Sequence, residues 1–272
     1  MALMISEILK APAGSKFVLA KRDPADRKGL PDDKAARNAL TAELGEKLNA
    51  LQDRFAAEKK TKLLLVLQGM DTSGKDGTVK AVFDSVNPLG IRVAPFKAPT
   101  ERELAHDYLW RVHAEVPQKG EIVIFNRSHY EDVLITRVHA WIDASEVVRR
   151  LAHINDFERM LTETGTVIIK CMLHISKDEQ AKRLQQRLTD PVKQYKFNVG
   201  DLEERKFWDK YMTAYEEAIR ATSTPHAPWY VIPANSKSTR NAYVAQLLAD
   251  SLDAINPKYP KPVQDLSKIV VT

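Results

Sequence analysis

An apolar run that leads directly into a glycine-rich loop constrains the fold of this chain more than any other feature of its sequence. Residues 63–67 are LLLVL, and the loop GMDTSGK follows from Gly69 to Lys75. The run is too short for a helix of its own and is typical of a buried central strand. A strand, a GxxxxGK loop and a following helix form a P-loop, in which backbone amides and the helix N-terminus surround phosphate groups. The sequence therefore predicts a phosphate site at the end of this strand.

The predicted P-loop differs from the usual pattern at two positions. The residue after Lys75 is usually Ser or Thr, whose hydroxyl binds magnesium, but here it is Asp76. Asp71 lies inside the loop, where a carboxylate repels phosphates unless a cation lies between them. We interpret Asp71 as a magnesium ligand, as an acid that positions the acceptor, or as a residue that only stabilises the turn. The predicted phosphate-binding residues of the loop and the first helical turn are Gly69, Thr72, Ser73, Gly74, Lys75, Asp76, Gly77 and Thr78.

A second group of polar side chains follows the apolar segment EIVIF. In open α/β sheets, ligands bind beyond the carboxyl ends of the strands. Asn126 occupies the position where a magnesium-binding acid is expected, and the planar donors of Arg127 suit phosphate oxygens. Glu131 and Asp132 follow about one helical turn later, where they could bind a metal or receive a proton. For His129 a phosphate contact and simple packing remain equally open.

A third group is basic and lies in a predicted helix and the loop after it. Arg183 and Arg187 are four residues apart and share one helix face. Lys193 and Lys196 follow in the loop. Arginines on a mobile lid can close over phosphates during transfer, because they exclude water and stabilise charge. The alternative is a solvent-facing helix whose basic residues pair with neighbouring acids. We predict a lid at about residues 183–207 with a functional Arg187, and leave both lysines open.

The order of the predicted elements indicates an α/β fold. Strands and helices alternate, which favours three layers, a parallel sheet with helices on both faces. The predicted strands are residues 63–67, 91–95, 121–125, 167–175 and 229–233. The predicted helices are residues 32–60, 75–86, 100–115, 146–164, 176–188, 202–220 and 237–255. We expect a single domain over residues 1–272, with an extended N-terminal arm (1–31) and an extended tail after Pro257.

Charge and hydropathy narrow the range of partners. The 272 residues carry a net charge of +5, which points to a polyanionic partner, although a solvated basic surface would also explain it. No basic stretch is interleaved with aromatic residues that could stack on bases, so no nucleic-acid partner is predicted. No stretch is apolar for long enough to span a bilayer, and the N-terminus lacks a secretory pattern. We therefore expect no membrane partner and a cytoplasmic location, and we expect Cys171 to be buried in its apolar run.

Four segments together resemble the polyphosphate kinase 2 family. They are GMDTSGKDG, FNRSHYEDVL, the helix that carries Arg183 and Arg187, and APWYVIPANSKSTR. The resemblance extends from about Lys16 to Ile255. It implies a P-loop kinase fold with a thymidylate-kinase-like core and a helical lid. It also implies reversible transfer of phosphoryl groups from inorganic polyphosphate to AMP or ADP, giving ADP or ATP, with Mg²⁺ or Mn²⁺. The expected assembly is a homo-oligomer, either a dimer or a tetramer.

The resemblance also implies roles for individual residues. Asp71 corresponds to the acid that positions the metal, and Lys75 to the phosphate-binding lysine. Arg127 corresponds to the arginine of the second motif, and Arg187 to the arginine of the lid. These four are the predicted catalytic residues. A polyphosphate groove is expected along three of them, Lys75, Arg127 and Arg187, together with Arg183.

The second motif departs from the form that is common in the family. Asn126 stands where Asp is usual, and this variant resembles the subgroup that accepts both AMP and ADP. The departure leaves the metal ligands open, and Glu131 or Asp132 could compensate for the missing carboxylate.

Two other functions stay open on the sequence alone. The first is a nucleotide kinase that uses ATP as donor, which needs a base-recognition pocket on the donor side and gains nothing from a basic groove. The second is a P-loop module that binds nucleic acid, which the sequence pI of about 9.1 suggests. Dependence of turnover on polyphosphate separates the first from the family assignment, and a gel shift at physiological salt tests the second.

Overall fold

Five apolar segments form one parallel sheet in the computed structural model, which describes residues 4–264 and residue 269. The strands are β1 (Lys62–Gln68), β2 (Ile91–Pro95), β3 (Ile122–Asn126), β4 (Thr166–His174) and β5 (Trp229–Pro233). Their order is β2-β3-β1-β4-β5, and neighbouring strands pair in parallel. All five predicted strands are confirmed, and no predicted boundary is wrong by more than one residue.

The central strand positions the phosphate loop. The β1 side chains from Leu63 to Leu67 have no solvent exposure, as expected for a parallel strand whose two faces are both covered. β1 pairs with β3 on one side and with β4 on the other, so the strand order changes direction at β1. Ligands bind at such a switch point, beyond the carboxyl end of the strand. The P-loop, which follows β1 directly, therefore lies where the topology favours a ligand.

Eleven helices are found within residues 4–264. They are α1 (Ile5–Leu9), α2 (Lys34–Glu58), α3 (Lys75–Val82), α4 (Glu101–Leu104), α5 (Trp110–His113), α6 (Glu131–Val138), α7 (Ala144–Glu163), α8 (Lys177–Thr189), α9 (Val199–Lys206), α10 (Trp208–Thr222) and α11 (Lys237–Ile255). One packed group contains α2, α3 and α11, and a second contains α6, α7 and α10. The predicted α/β fold, a parallel sheet flanked by helices, is confirmed.

Two predicted helices are each divided in the structure. Thr100 and Glu103 form the expected capping box at the start of α4, but the helix from residue 100 to 115 is not continuous. The Asp107 side chain accepts a hydrogen bond from the amide of Leu109, and this local turn separates α4 from α5. The helix predicted over residues 202–220 divides at Phe207, whose φ of −92° and ψ of 17° interrupt it between α9 and α10.

Apart from α1 in the N-terminal segment, one helix, α6, was not predicted. Its sequence, EDVLITRV, is rich in β-branched residues, which have lower helix propensity than unbranched ones. Glu131 and Asp132 lie in its first turn, where negative charge interacts favourably with the helix N-terminus. Val133, Leu134 and Val138 are buried, so packing of an apolar face also stabilises α6.

The N-terminal segment is not an extended arm throughout. Within residues 4–31, α1 and two short 3₁₀ turns form. Leu9 and Phe17 are buried in the hydrophobic core. The amide of Ala11 donates to the carbonyl of Trp229 at 2.8 Å, so the segment covers the outer edge of β5. This contact satisfies backbone groups that an edge strand otherwise exposes.

The predicted tail is only partly described. Residues 257–264 contain no helix or strand, while residues 1–3, 265–268 and 270–272 lie outside the described residues. None of the helices in the described part of the chain has the length and apolar character needed to cross a membrane. Cys171 is buried in β4, as predicted.

Candidate active site

The P-loop contains two glycines whose neighbours leave no room for a side chain. A Cβ atom added at Gly69 would lie 2.7 Å from the carbonyl oxygen of Leu173. A Cβ atom added at Gly74 would lie 1.8 Å from Nη1 of Arg240. Gly74 also has a φ of +102°, which residues with a side chain rarely adopt. Glycine at position 74 therefore allows both the turn into α3 and the close approach of an arginine.

Lys75 is folded back over its own loop. Its Nζ donates to the carbonyl of Gly69 at 2.8 Å and lies 3.4 Å from that of Met70. Burial lowers the pKa of Lys75, and the positive charge of Arg127 adds to this effect, whereas nearby carboxylates oppose it. The ammonium group is thus held at the loop by carbonyl groups alone, and an arriving phosphate offers it a stronger, charged acceptor.

Two buried arginines donate hydrogen bonds to backbone carbonyls of the P-loop. Arg183 donates to the carbonyls of Thr72 at 2.9 Å and Ser73 at 3.1 Å. Arg240 donates to the same Ser73 carbonyl at 3.2 Å. Burial, together with the charge of Arg183, lowers the pKa of Arg240 to about 9. Arg183, which we predicted to bind phosphate, lines the cleft described below, but its donors go mainly to backbone carbonyls.

Each of three carboxylates near the P-loop has one polar partner. Asp71 lies 2.6 Å from Nη2 of Arg127, and Asp76 accepts from Nδ2 of Asn126 at 2.7 Å. These contacts join the P-loop to the end of β3. In the region predicted as a lid, Nη1 of Arg187 donates to Asp201 at 2.9 Å and to the carbonyl of Lys196 at 3.0 Å. The predicted second motif therefore does meet the P-loop in space, and Arg187 connects α8 with α9.

These groups line one cleft of about 800 Å³. Its lining residues are Asp71, Thr72, Gly74, Lys75, Asp76, Gly77, Pro95, Phe96, Lys97, Ala98, Asn126, Arg127, Arg183, Gln186, Arg187, Lys193, Lys196, Asn198, Asp201, Lys237, Arg240 and Asn241. Nine of them are Lys or Arg and three are Asp, an excess of six positive charges. The whole chain carries only +5, so the basic character of the protein is concentrated in this cleft rather than spread over its surface.

Several predicted residues do not line the cleft. Gly69, Ser73 and Thr78 belong to the loop and to α3, but Ser73 and Thr78 are fully buried, and the Thr78 hydroxyl donates to the carbonyl of Gly74. The structure does not place His129 at the cleft. Its side chain has no exposure, and its Nε2 lies 3.3 Å from Oε1 of Glu158. A phosphate contact by His129 is therefore excluded in this conformation, because the ring packs in the interior.

The two acids at the start of α6 also lie outside the cleft. Glu131 is 3.9 Å from Nη1 of Arg127. Burial raises the pKa of Glu131, although the charges of Arg127 and Lys75 oppose the rise. Asp132 lies 3.6 Å from Nη2 of Arg111 and does not line the cleft, so in this conformation it is not positioned beside Asn126 as a metal ligand there.

Sequence reasoning missed seven polar residues of the cleft. They are Lys97, Gln186, Asn198, Asp201, Lys237, Arg240 and Asn241. Three of them lie at or near the start of α11, which follows β5. Ligands bind beyond the carboxyl ends of parallel strands. This rule identified the residues after β3, and it could also have identified these three residues after β5. Nothing in the sequence indicates that Asp201 reaches across to Arg187.

The carboxylates of the cleft could hold a divalent cation. No preformed cluster of three or more metal-binding side chains exists among the described residues. Asp71 and Asp76 nevertheless provide two carboxylates at the P-loop, which are the oxygen ligands that Mg²⁺ prefers. Because Mg²⁺ keeps several waters and binds substrate phosphates as well, one or two protein carboxylates are enough. The residues present therefore fit a magnesium ion that binds together with a phosphate substrate.

Comparison with known proteins agrees with this geometry. Residues 31–260 match the sequence profile of the family described as polyphosphate kinase 2 (PPK2). The AMP/ADP-polyphosphate phosphotransferase of Meiothermus ruber is 53% identical over 256 residues, which cover 94% of this chain and 96% of that protein. The ADP-polyphosphate phosphotransferase of Rhodopseudomonas palustris is 42% identical, with 79% of each chain covered.

A solved structure shares the fold over almost its whole length. The crystal structure of polyphosphate kinase 2 from Arthrobacter aurescens TC1 has a TM-score of 0.94 and 48% sequence identity. The match covers 97% of this chain and 94% of that one. The family profile, the relatives and this structure therefore agree, and the chain belongs to the polyphosphate kinase 2 family.

Proposed function

We propose that this protein transfers the terminal phosphoryl group of inorganic polyphosphate to AMP and ADP, giving ADP and ATP, and that the reaction is reversible. The observation that carries the proposal is the excess of positive charge in the P-loop cleft of a polyphosphate kinase 2 family member. A long polyanion needs more cationic partners than the phosphates of one nucleotide. Acceptance of both AMP and ADP is supported by Asn126 and by the name of the Meiothermus ruber relative.

The chain's own groups bind and orient the phosphates. The P-loop amides and the N-terminus of α3 surround the donor phosphates, and Lys75 contributes a full charge. Arg127 and Arg187 approach from β3 and from the lid, and they stabilise charge on the phosphoryl group during in-line transfer. The acceptor phosphate is already ionised near neutral pH, so positioning and electrostatics matter more than a general base.

Both arginines are paired with carboxylates in this structure. Arg127 is paired with Asp71, and Arg187 is paired with Asp201. A substrate phosphate that accepts from either guanidinium competes with that carboxylate. Asp71 is then available to Mg²⁺, or to Mn²⁺, which prefers the same oxygen ligands. The metal, when bound, supplies neutralisation of phosphate charge.

The position of Asn126 gives a test of metal binding that does not depend on activity. Because Asn126 donates to Asp76 at 2.7 Å, Asn126→Asp places two carboxylates in contact. Without Mg²⁺ the variant is expected to lose about 0.5–1.5 kcal/mol of unfolding free energy, through the lost hydrogen bond and the charge repulsion, because the pair is partly exposed to solvent. With Mg²⁺ between the carboxylates, most of this loss should be recovered.

The measurement is the melting temperature with and without Mg²⁺, in the absence of substrate. Asn126→Ala serves as the control, because it loses the same hydrogen bond without adding a charge. An equal Mg²⁺-dependent rise for the Asp variant, the Ala variant and the unmodified protein would contradict a metal position beside residues 76 and 126.

Two lid lysines are expected to bind polyphosphate rather than to act in transfer. Lys193 and Lys196 line the cleft, and Lys193 is held by Asp190 at 2.5 Å. For Lys193→Ala/Lys196→Ala we expect KM for polyphosphate to rise about 2- to 5-fold at low salt, as for exposed charge pairs. The difference should shrink in high salt, because screening weakens the same contacts. Lys206→Ala is the matched control, since Lys206 is an exposed lysine of the neighbouring α9 that does not line the cleft. An unchanged KM at low salt would remove this role.

Formation of ATP from AMP, and separately from ADP, with polyphosphate and Mg²⁺ tests the proposed function. Product from both acceptors establishes the donor and both acceptors. Product from ADP alone supports polyphosphate as the donor and excludes AMP as an acceptor. Failure with both acceptors, in a folded sample that forms ADP from AMP and ATP, would favour an ordinary nucleotide kinase. The charge excess also leaves a nucleic-acid partner to be tested, and we expect no gel shift at physiological salt.

Assembly and location follow from the family resemblance. We propose a homo-oligomer, a dimer or a tetramer, that works in the cytoplasm, where its nucleotide substrates are found. Light scattering on the purified protein gives the particle mass, and a monomeric mass of about 30.7 kDa would contradict the proposed assembly.

A further inference from the structure

A fully buried polar network lies beneath the turn that carries Arg127. Its centre is the ion pair of Lys170, in β4, and Glu158, in α7, with Nζ and Oε2 2.5 Å apart. Neither side chain has any solvent exposure. Lys170 also donates to the Tyr130 hydroxyl at 2.9 Å and to the carbonyl of Thr222 at 2.8 Å. All three donors of the ammonium group therefore have partners.

The same network includes the residues that follow Arg127 along the chain. The Tyr130 hydroxyl donates to Oε1 of Glu158 at 2.7 Å, and Nε2 of His129 lies 3.3 Å from the same oxygen. Both side chains are fully buried. The turn after β3 is thus attached to α7 and β4 by two consecutive side chains, which begin two residues after Arg127.

The backbone at Arg127 needs such support. Its φ is +62°, in the left-handed region, which residues other than glycine adopt only at an energetic cost. This conformation turns the chain so that Arg127 faces Asp71 of the P-loop while the next three residues point inward. If the inward side chains lost their partners, the turn could relax and the guanidinium would move away from the loop.

Stability alone does not explain a buried ion pair at this place. Removal of two charges from water costs several kcal/mol per ion, and apolar side chains of similar size often stabilise a core equally well. Burial opposes ionisation of Glu158, but the charge of Lys170 and the hydrogen bonds outweigh it and hold the pKa of Glu158 below its usual value. Burial also lowers the pKa of Lys170, and the charge of Glu158 opposes this. The pair provides directional contacts that an apolar pair cannot.

We propose that Glu158 and Lys170 are positioning residues for phosphoryl transfer. They hold Tyr130 and His129, and through them they keep Arg127 directed at the P-loop, without touching the substrate. The proposal rests on the role of Arg127 in transfer proposed above. It extends the functional site by one layer, from the cleft into the interior of the protein.

The test replaces the ion pair by apolar side chains and measures whether the resulting loss of kcat depends on Arg127. In Glu158→Leu/Lys170→Met no single charge is left buried, so the protein is expected to fold. We expect kcat for ATP formation from ADP to fall about 10- to 100-fold, as for small displacements of catalytic groups, with both KM values within about 2-fold of the unmodified protein. In an Arg127→Lys background the same replacement should cost less than about 2-fold, because the guanidinium that it positions is already absent.

Two further variants separate a positioning defect from a folding defect. Tyr130→Phe removes only the hydroxyl and leaves the direct contact of Glu158 with Lys170, so it decides the question if the double variant fails to fold. It is expected to lower kcat several-fold. Ile154→Val, in α7 one turn before Glu158, is the control for lost core packing, because Ile154 is fully buried and outside the network. It should lower the melting temperature and leave kcat unchanged.

The possible results separate this proposal from the one on which it rests. A folded double variant with unchanged kcat, or an equal loss in both Arg127 backgrounds, overturns the positioning role. If Arg127→Lys alone retains full kcat, the role of Arg127 is wrong and the positioning role fails with it. A protein without polyphosphate-dependent activity would instead overturn the proposed function itself.

Discussion

Replacement of Lys75 by Ala is expected to lower kcat by about 10³-fold, since removal of one preorganised charge stabiliser from a water-poor site typically costs 10²- to 10³-fold. Lys75 is the charged group closest to the loop carbonyls, and it is almost fully buried. Lys75 is the one lysine within the P-loop, residues 69–75, so no second ammonium group of the loop can replace it. The expected defect is in transfer, because many other cations of the cleft remain to bind polyphosphate.

The Lys75→Ala experiment measures kcat and KM for ATP formation from ADP and polyphosphate. The melting temperature is measured in parallel, because two loop carbonyls lose a donor. Lys80→Ala is the matched control, as Lys80 lies on the same helix and is exposed. It should behave like the unmodified protein. Turnover near the unmodified level in a folded Lys75→Ala sample would show that the P-loop lysine does not act in transfer.

Replacement of Arg127 by Ala is expected to have an effect of similar or greater size, a loss in kcat of about 10³- to 10⁵-fold by comparison with arginines that stabilise phosphoryl transfer. Arg127 connects the P-loop to β3 through Asp71 and also lies close to Glu131. Arg137→Ala is the control. Arg137 belongs to α6 and pairs with Glu217 at 2.6 Å, away from the cleft, so its loss should leave kcat unchanged.

The same variant gives a prediction about pH. Burial raises the pKa of Glu131, and Arg127 opposes this rise, so the pKa of Glu131 should increase further in Arg127→Ala. A carboxyl whose pKa is higher in the folded state binds more protons there than in the unfolded state. The unfolding free energy then decreases as pH rises from the unfolded pKa through the folded pKa. The deficit in melting temperature relative to the unmodified protein should therefore be larger at pH 8 than at pH 5, and a deficit that is larger at pH 5 would contradict this coupling.

The elements with strong local signals could be predicted from the sequence. The strand at Trp229–Pro233 and the helix at Lys237–Ile255 have the predicted bounds, because an apolar run and a capping Ser precede a clear helical pattern. The helix α6 was missed because its β-branched residues favour a strand locally, and only burial against its neighbours stabilises it as a helix. Local propensity was thus overruled by tertiary packing.

The candidate site could be predicted only in part. The loop residues and Arg127 followed from the position of polar residues after apolar strands. The orientation of His129 did not, because it depends on the left-handed φ of Arg127, which nothing in the sequence indicates. Arg240 donates to the carbonyl of Ser73, which lies 167 residues earlier in the chain, and such a long-range contact has no local signal. Sequence patterns therefore identified the donors of the cleft better than the groups that support them.

The segment that covers β5 has a practical consequence for where the protein can be shortened. The match to the family profile begins at residue 31, so a boundary drawn from that profile alone would remove Leu9, Ala11 and Phe17. Their loss would leave a hole in the core and free the backbone carbonyl of Trp229. Because β5 is the last strand of the sheet in the described part of the chain, the shortened protein would expose its outer edge. An exposed strand edge can pair with another copy, so the truncated protein is expected to aggregate rather than to form a smaller enzyme.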